Sequence, residues 1–232
     1  MTQVIISPAK ANSMYWLGRY TERVYLELHL LRICFDFMID GKPEEYNRYL
    51  ASIGNTFLYP DLAAIRSGLV HDKNNPVSVL ACVEMANDNA ILLRDEIMSP
   101  TLGYIQMSLE YLRHAAAESK EPDLDELQKL TDWMLAFWGS IEERVYDERV
   151  KNFLRLGKLI EHLDMNIRFS YKFYRIEEAF TSLLKCYDFE PRAFSGDALE
   201  DLKKLITEQE YDPRDPVYVN KVLLLLGKVV IL

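Results

Sequence analysis

Between residues 8 and 39 the chain keeps one apolar spacing. Met14, Leu17, Thr21, Val24, Leu28, Leu31, Phe35 and Met38 follow one another at steps of 3, 4, 3, 4, 3, 4 and 3. An α-helix repeats every 3.6 residues, so these positions form a single stripe. A strand, with its period of two, would scatter them over both faces. A stripe about seven turns long has to be covered by other helices along its length. Ser7 can cap this helix, with Pro8 at the first helical position where its missing N–H costs nothing, and Asp40-Gly41 and Pro43 end it.

The same reading continues down the chain. Helices are expected over 44–52, after Asp61, from a start at NNPVS (Asn75 as cap, Pro76 first) to about Met98, and over 101–117. Asp123 opens another that runs to about 148 with Leu127, Leu130, Met134, Phe137, Ile141 and Val145 inside. Residues 150–187 read as one very long helix or two joined end to end. EPRAFSGD interrupts, Asp197 starts a shorter helix, and YDPRDP precedes the apolar C-terminal segment. Alternating β-branched runs are scarce, so a sheet has little to be built from. The expectation is an all-α bundle of seven or eight helices, a single domain over 1–232, with an internal pseudo-repeat.

Composition narrows the function classes. Ten Phe, 14 Tyr and 3 Trp in 232 residues cannot be left in water, which excludes disorder as the main state. Thirty-six acidic against 27 basic side chains give a net charge of −9, which argues against wrapping nucleic acid. Cys34, Cys82 and Cys186 match no zinc spacing and form no CxxC, as expected of reduced, buried thiols in a cytoplasmic protein. There is no signal peptide and no apolar run near the roughly 20 residues of a membrane span. Neither GxGxxG nor GxxxxGK[ST] occurs, so no cofactor is expected. A helical carboxylate metal site would need ExxH elements; none exists, His29, His71, His114 and His162 do not cluster, and no metal is expected.

The polar residues of interest ride on an internal echo. LGRYTER at 17–23 and LGKLIEH at 156–162 align at a constant offset of 139. Leu17, Gly18, Arg19, Glu22 and Arg23 then stand opposite Leu156, Gly157, Lys158, Glu161 and His162. The flanking stripe follows: Met14 with Phe153, Thr21 with Ile160, Val24 with Leu163, Leu28 with Ile167, Phe35 with Tyr174. A mid-helix glycine costs about 1 kcal/mol against alanine, and close approach of another helix is the compensation it calls for. Arg19 precedes Glu22 by three residues, as Lys158 precedes Glu161, so each acid has a basic neighbour within reach. Tyr15, Trp16, Tyr20 and Tyr25 can wall a pocket beside them. In the helix near 77–98 the seam reads Leu80, Val83, Asn87, Ala90, Arg94, Ile97. A buried Arg94 needs a carboxylate, from Glu22, Glu161 or Asp164; the other reading is a seam that has drifted, with Asn87 and Arg94 facing solvent. Glu142, Glu143, Arg144, Asp147, Glu148 and Arg149 read as a solvated stripe.

Four blocks together, AxSMYWLGRYTER, NNPVSVL, AxDNAxxLRDEI and FLRLGKLIEHLDM, resemble the bacterial alpha-E domain family, a helical domain with a Glu-Arg motif. The resemblance spans roughly 7–187. It places the motif on Glu22 and Arg23, with Gly18 and Arg19 before it; an internal-helix motif on Asn87, Arg94 and Asp95; and a second glycine motif on Gly157, Glu161, Asp164 and Met165. Lys158 and His162 depart from the arginines usual in that pattern, so the rigid guanidinium fork is lost at both. The resemblance implies association with unusual ATP-grasp and transglutaminase-like proteins. It points to an accessory or substrate-binding subunit of a peptide- or amide-forming or modifying system, without independent catalytic activity. In that role Arg19, Arg23 and Arg94 would position carboxylates of a small anionic or peptide-like ligand. Two alternatives stand beside it. One is a catalytic helical domain in which Glu22, Glu161 and Asp164 share proton transfer with His162. The other is a purely structural interaction module.

Overall fold

Ser7 does begin the long helix. Its Oγ accepts the Lys10 N–H at 3.3 Å while its carbonyl accepts that of Ala11 at 2.9 Å. The computed structural model describes residues 6–39 and 44–232. Asp40-Gly41 and Pro43, expected to end this helix, lie outside the described residues, as does the Met38 side chain. Among the described residues there are eleven helices: α1 (Pro8–Ile39), α2 (Glu44–Ser52), α3 (Leu62–Val70), α4 (Val79–Leu92), α5 (Arg94–Ile97), α6 (Ser99–Ala117), α7 (Leu124–Arg144), α8 (Glu148–Arg168), α9 (Phe173–Phe189), α10 (Gly196–Leu205) and α11 (Pro216–Leu226). A 3-10 turn (Pro191–Ala193) joins α9 to α10, and the only strand-like pairing described is an isolated antiparallel bridge between Phe194 and Val230. The all-α expectation holds, and no described helix is long and apolar enough to cross a membrane.

The described residues hold more helices than the expected seven or eight, and one expected helix is broken in two. The one expected to run to Met98 stops at Leu92, and α5 is a separate single turn ended by Met98 at φ 71°. Residues 150–187 divide at Phe169–Lys172, where Ser170 turns to φ 55°. The start at NNPVS also shifts. Ser78, not Asn75, caps α4 by accepting the Ala81 N–H at 3.1 Å. Asn75 is fully buried and its Nδ2 donates to the Tyr59 hydroxyl (2.8 Å) and to Asn55 Oδ1 (3.1 Å). Its side chain is thus spent on pinning the preceding loop. Asp61 and Asp123 cap α3 and α7 as expected, each accepting a backbone N–H at 2.8 Å.

The described residues form two compact units. Tyr20–Lys151 is one. Its core takes Val24, Leu28, Leu31 and Phe35 from α1, and α6 packs against both α4 and α7. The expected α7 stripe, Leu127 to Val145, is buried throughout. The other unit combines the chain up to Arg19 with Asn152–Leu232. Met14, Leu17, Phe153, Leu156, Ile160, Leu163 and Ile167 are buried in it, and α10 packs on α11. One member of the echo fails: Tyr174 is 57% exposed, because α8 ends at Arg168 and the register of the repeat ends with it.

Within this second unit the two echo glycines meet the opposite helix. A Cβ on Gly18 would overlap the Leu154 carbonyl oxygen and crowd the Lys158 nitrogen at 3.0 Å. A Cβ on Gly157 would overlap the Tyr15 carbonyl oxygen and crowd the Arg19 nitrogen at 3.0 Å. Leu154 and Lys158 are the counterparts of Tyr15 and Arg19 at the offset of 139. The contact is therefore reciprocal, as across a two-fold axis. The obstructing atoms are backbone, which cannot rotate aside. We predict that Gly157→Ala lowers the urea midpoint by the equivalent of several kcal/mol or prevents folding, against its better helix propensity. Gly139→Ala, in mid-α7 with open space around it, should instead raise stability by up to about 1 kcal/mol.

Candidate functional site

One turn beyond Gly157, Glu161 is 1% exposed on α8, and the reciprocal crossing brings Arg19 of α1 to it. The Arg19 Nε donates to Glu161 Oε2 at 2.8 Å, and its Nη2 lies 2.7 Å from the same oxygen. Nη1 reaches the Tyr15 hydroxyl at 3.5 Å. Tyr15 and Trp16 flank the guanidinium, their ring centroids 5.8 and 5.2 Å from Cζ. These aromatics, expected to wall a pocket, stack on the arginine instead. They leave its side chain 17% exposed. One turn further along α8, Asp164 is held by Arg168, with Nε donating to Oδ1 at 2.6 Å.

The electrostatics follow from this packing. Burial opposes the Arg19 charge, but Glu161, then Tyr15 and Asp164, outweigh it, so its pKa lies above the ordinary value. Burial pushes the Tyr15 phenol up; Arg19 pulls the other way, and Glu161 and Asp164 add to the rise. Each of the two acids has an arginine as hydrogen-bond donor. Lys158 and His162 are half-buried on the same helix.

Other expected residues lie in the Tyr20–Lys151 unit. Glu22 is buried, and Arg23 Nη1 stands 3.9 Å from Glu27 Oε1 within α1. Tyr49 is buried in the same unit, and its phenol is pushed well above its usual pKa by burial first, then by Glu27, Cys34 and Cys82. Asn87 is half-buried. Arg94 and Asp95 are exposed, and Arg94 Nε donates to Ser99 Oγ at 3.2 Å. Of the two readings of this helix, Arg94 follows the drifted seam and faces solvent, while Asn87 is only half-exposed. The buried face of α4–α5 runs Leu80, Val83, Ala86, Ala90, Leu93, Ile97, one residue earlier than the expected seam at its centre.

The sequence reading paired Arg19 with Glu22, and the structure gives it Glu161. It missed three further pairings or matches. Arg168 with Asp164 has a local signal, the i, i+4 spacing. Glu27 and Asn166, both buried, extend the echo at the same offset. His71 Nε2 lies 2.7 Å from Glu126 Oε1 in a buried pair, and a separation of 55 residues leaves no local signal for it. No group of His, Cys, Asp and Glu among the described residues is arranged to hold a metal.

One family model matches the chain, over residues 8–190; it is described as "a predicted alpha-helical domain with a conserved ER motif". No curated protein and no solved structure matches.

Two outcomes follow from this geometry. Arg19→Met removes the guanidinium bonded to buried Glu161 and should cost about 3–5 kcal/mol in urea unfolding; adding Glu161→Leu should return part of that loss. All three cysteines are buried, and burial pushes the Cys186 thiol up to about 11. Ellman's reagent at pH 8 should therefore modify none of them rapidly in the native protein and all three in guanidinium.

Proposed function

Because the chain belongs to the Alpha-E family, we propose that it is a non-catalytic accessory or substrate-binding subunit of an ATP-grasp-associated system that forms or modifies peptide or amide bonds. The observation that supports this is how the motif's charges are spent. Arg19 is bound by Glu161 and lies against two aromatic rings, and Asp164 is bound by Arg168. A general acid or base must reach a substrate proton, and a carboxylate bonded to an arginine at 1% exposure is poorly placed to do so. The same features suit a rigid frame that presents its surface to a partner enzyme and its peptide-like or anionic substrate. ATP-grasp enzymes, or transglutaminase-like ones, are the partners the resemblance suggests; cytoplasmic location goes with that reading.

The test is reconstitution with an ATP-grasp protein encoded nearby. ATP turnover on a peptide acceptor is measured with each protein alone and with both together. The expected result is no turnover by this chain alone and a higher rate in the mixture. Turnover by the isolated chain, abolished in Glu22→Gln while circular dichroism is unchanged, would establish the catalytic reading instead. A mixture no faster than the partner alone, with no complex in ultracentrifugation, would reduce the chain to a structural module.

A further inference from the structure

Residues 191–232 lie beyond the family match, which ends at 190. The segment is firmly held. Asp215 caps α11 by accepting the Val217 N–H at 2.9 Å, and the Tyr218 hydroxyl donates to the Leu205 carbonyl at 3.0 Å. Past Gly227 the chain pairs back on the 3-10 turn: Ser195 N–H donates to the Val229 carbonyl and Ile231 N–H to the Ala193 carbonyl, both at 2.9 Å. Tyr218, Val222, Leu226 and Val229 are buried by this arrangement.

The opposite side is left in water. Val217 (72% exposed), Lys221, Leu224 (63%), Lys228 and Ile231 (54%) follow at steps of 4, 3, 4 and 3, all exposed. Val217, Lys221 and Leu224 share one face of α11, and Lys228 and Ile231, past the end of the helix at Leu226, are exposed beyond it. In a chain of net charge −9, residues 216–232 contain two lysines and no acid. Neither lysine is within ion-pair distance of an acid among the described residues; Asp201 on neighbouring α10 is held by Lys204 at 2.8 Å, and Lys221 adds a weaker pull on the same carboxyl. Exposed apolar area of this kind gains roughly 25 cal/mol per Å² when covered, and an ordered face has little entropy to lose on binding.

We propose that this face of α11 docks an acidic amphipathic helix of a partner protein. Leucines at helical spacing on the partner fill the gaps around Val217 and Leu224, and its carboxylates meet Lys221 and Lys228. A second copy offering the same face would set lysine against lysine. The inference rests on α11 and its flanks alone and is independent of the reading of the Glu-Arg motif.

The probe is a fluorescein-labelled peptide with leucine at helical spacing and glutamate elsewhere, titrated with the full chain by anisotropy. A peptide of the same apolar pattern with lysine in place of glutamate is the control. Saturable binding of the acidic peptide is expected, weakening with salt, and at least about tenfold weaker in both Leu224→Asp and Lys221→Glu. If Leu224→Asp disturbs the circular dichroism, Lys221→Glu, a change at an exposed side chain, decides. No binding, equal binding of the basic peptide, or indifference to Lys221→Glu overturns the proposal. So does a dimer in ultracentrifugation that Leu224→Asp dissolves, or sedimentation with phosphatidylserine vesicles in place of peptide binding.

Discussion

Two backbones in contact, with no side chain between them, set the terms for the unit that holds Arg19 and Glu161. Gly18 and Gly157 each rest against the carbonyl of the facing helix, and any larger residue at either position would force the pair apart. The Arg19–Glu161 ion pair depends on this spacing. An arginine one residue after the first glycine reaches a carboxylate one turn after the second, and the aromatic rings before it shut out most of the water. Taken out of that setting, the pair would be a surface salt bridge worth little; inside it, neither partner can be removed without stranding the other.

The reciprocity of the contact explains why the two motifs differ in charge but not in shape. At the backbone level 15 faces 157 and 18 faces 154, so the glycines are equivalent. The side chains are not: Arg19 has Lys158 as its counterpart, and Arg23 has His162. Arginine suits a planar, stacked, bidentate setting such as the one Tyr15 and Trp16 create, and lysine does not. The echo is a symmetric backbone scaffold that carries different side chains on its two halves.

Much of this was legible in the sequence where the signal was local. The residues of α1, its Ser7 cap, the buried stripe of α7 and the need for close approach at the glycines all follow from periodicity and helix propensity. What was not legible depended on partners far along the chain or on small errors of phase. Arg19 had a plausible acid three residues away and took one 142 residues away. For Arg94 the sequence left burial and exposure both open, because a seam stepped by four after Val83 includes it, whereas the helix buries Ala86 after a step of three. A break at Leu93 then turned Arg94 outward. The pair of His71 and Glu126 had no local trace at all.

The glycine joint also bears on the order in which the chain assembles. It fastens residue 18 to residue 154 and residue 157 to residue 15, closing a loop that contains all of Tyr20–Lys151. Closing a loop of that length costs about 4 kcal/mol in chain entropy before any contact repays it. Contacts of such high sequence separation form slowly, behind the local pairings of α4, α6 and α7. The burial of Glu161 and its bond to Arg19 thus depend on a contact between residues more than 130 positions apart, and neither exists in a chain where only the local helix pairs have formed.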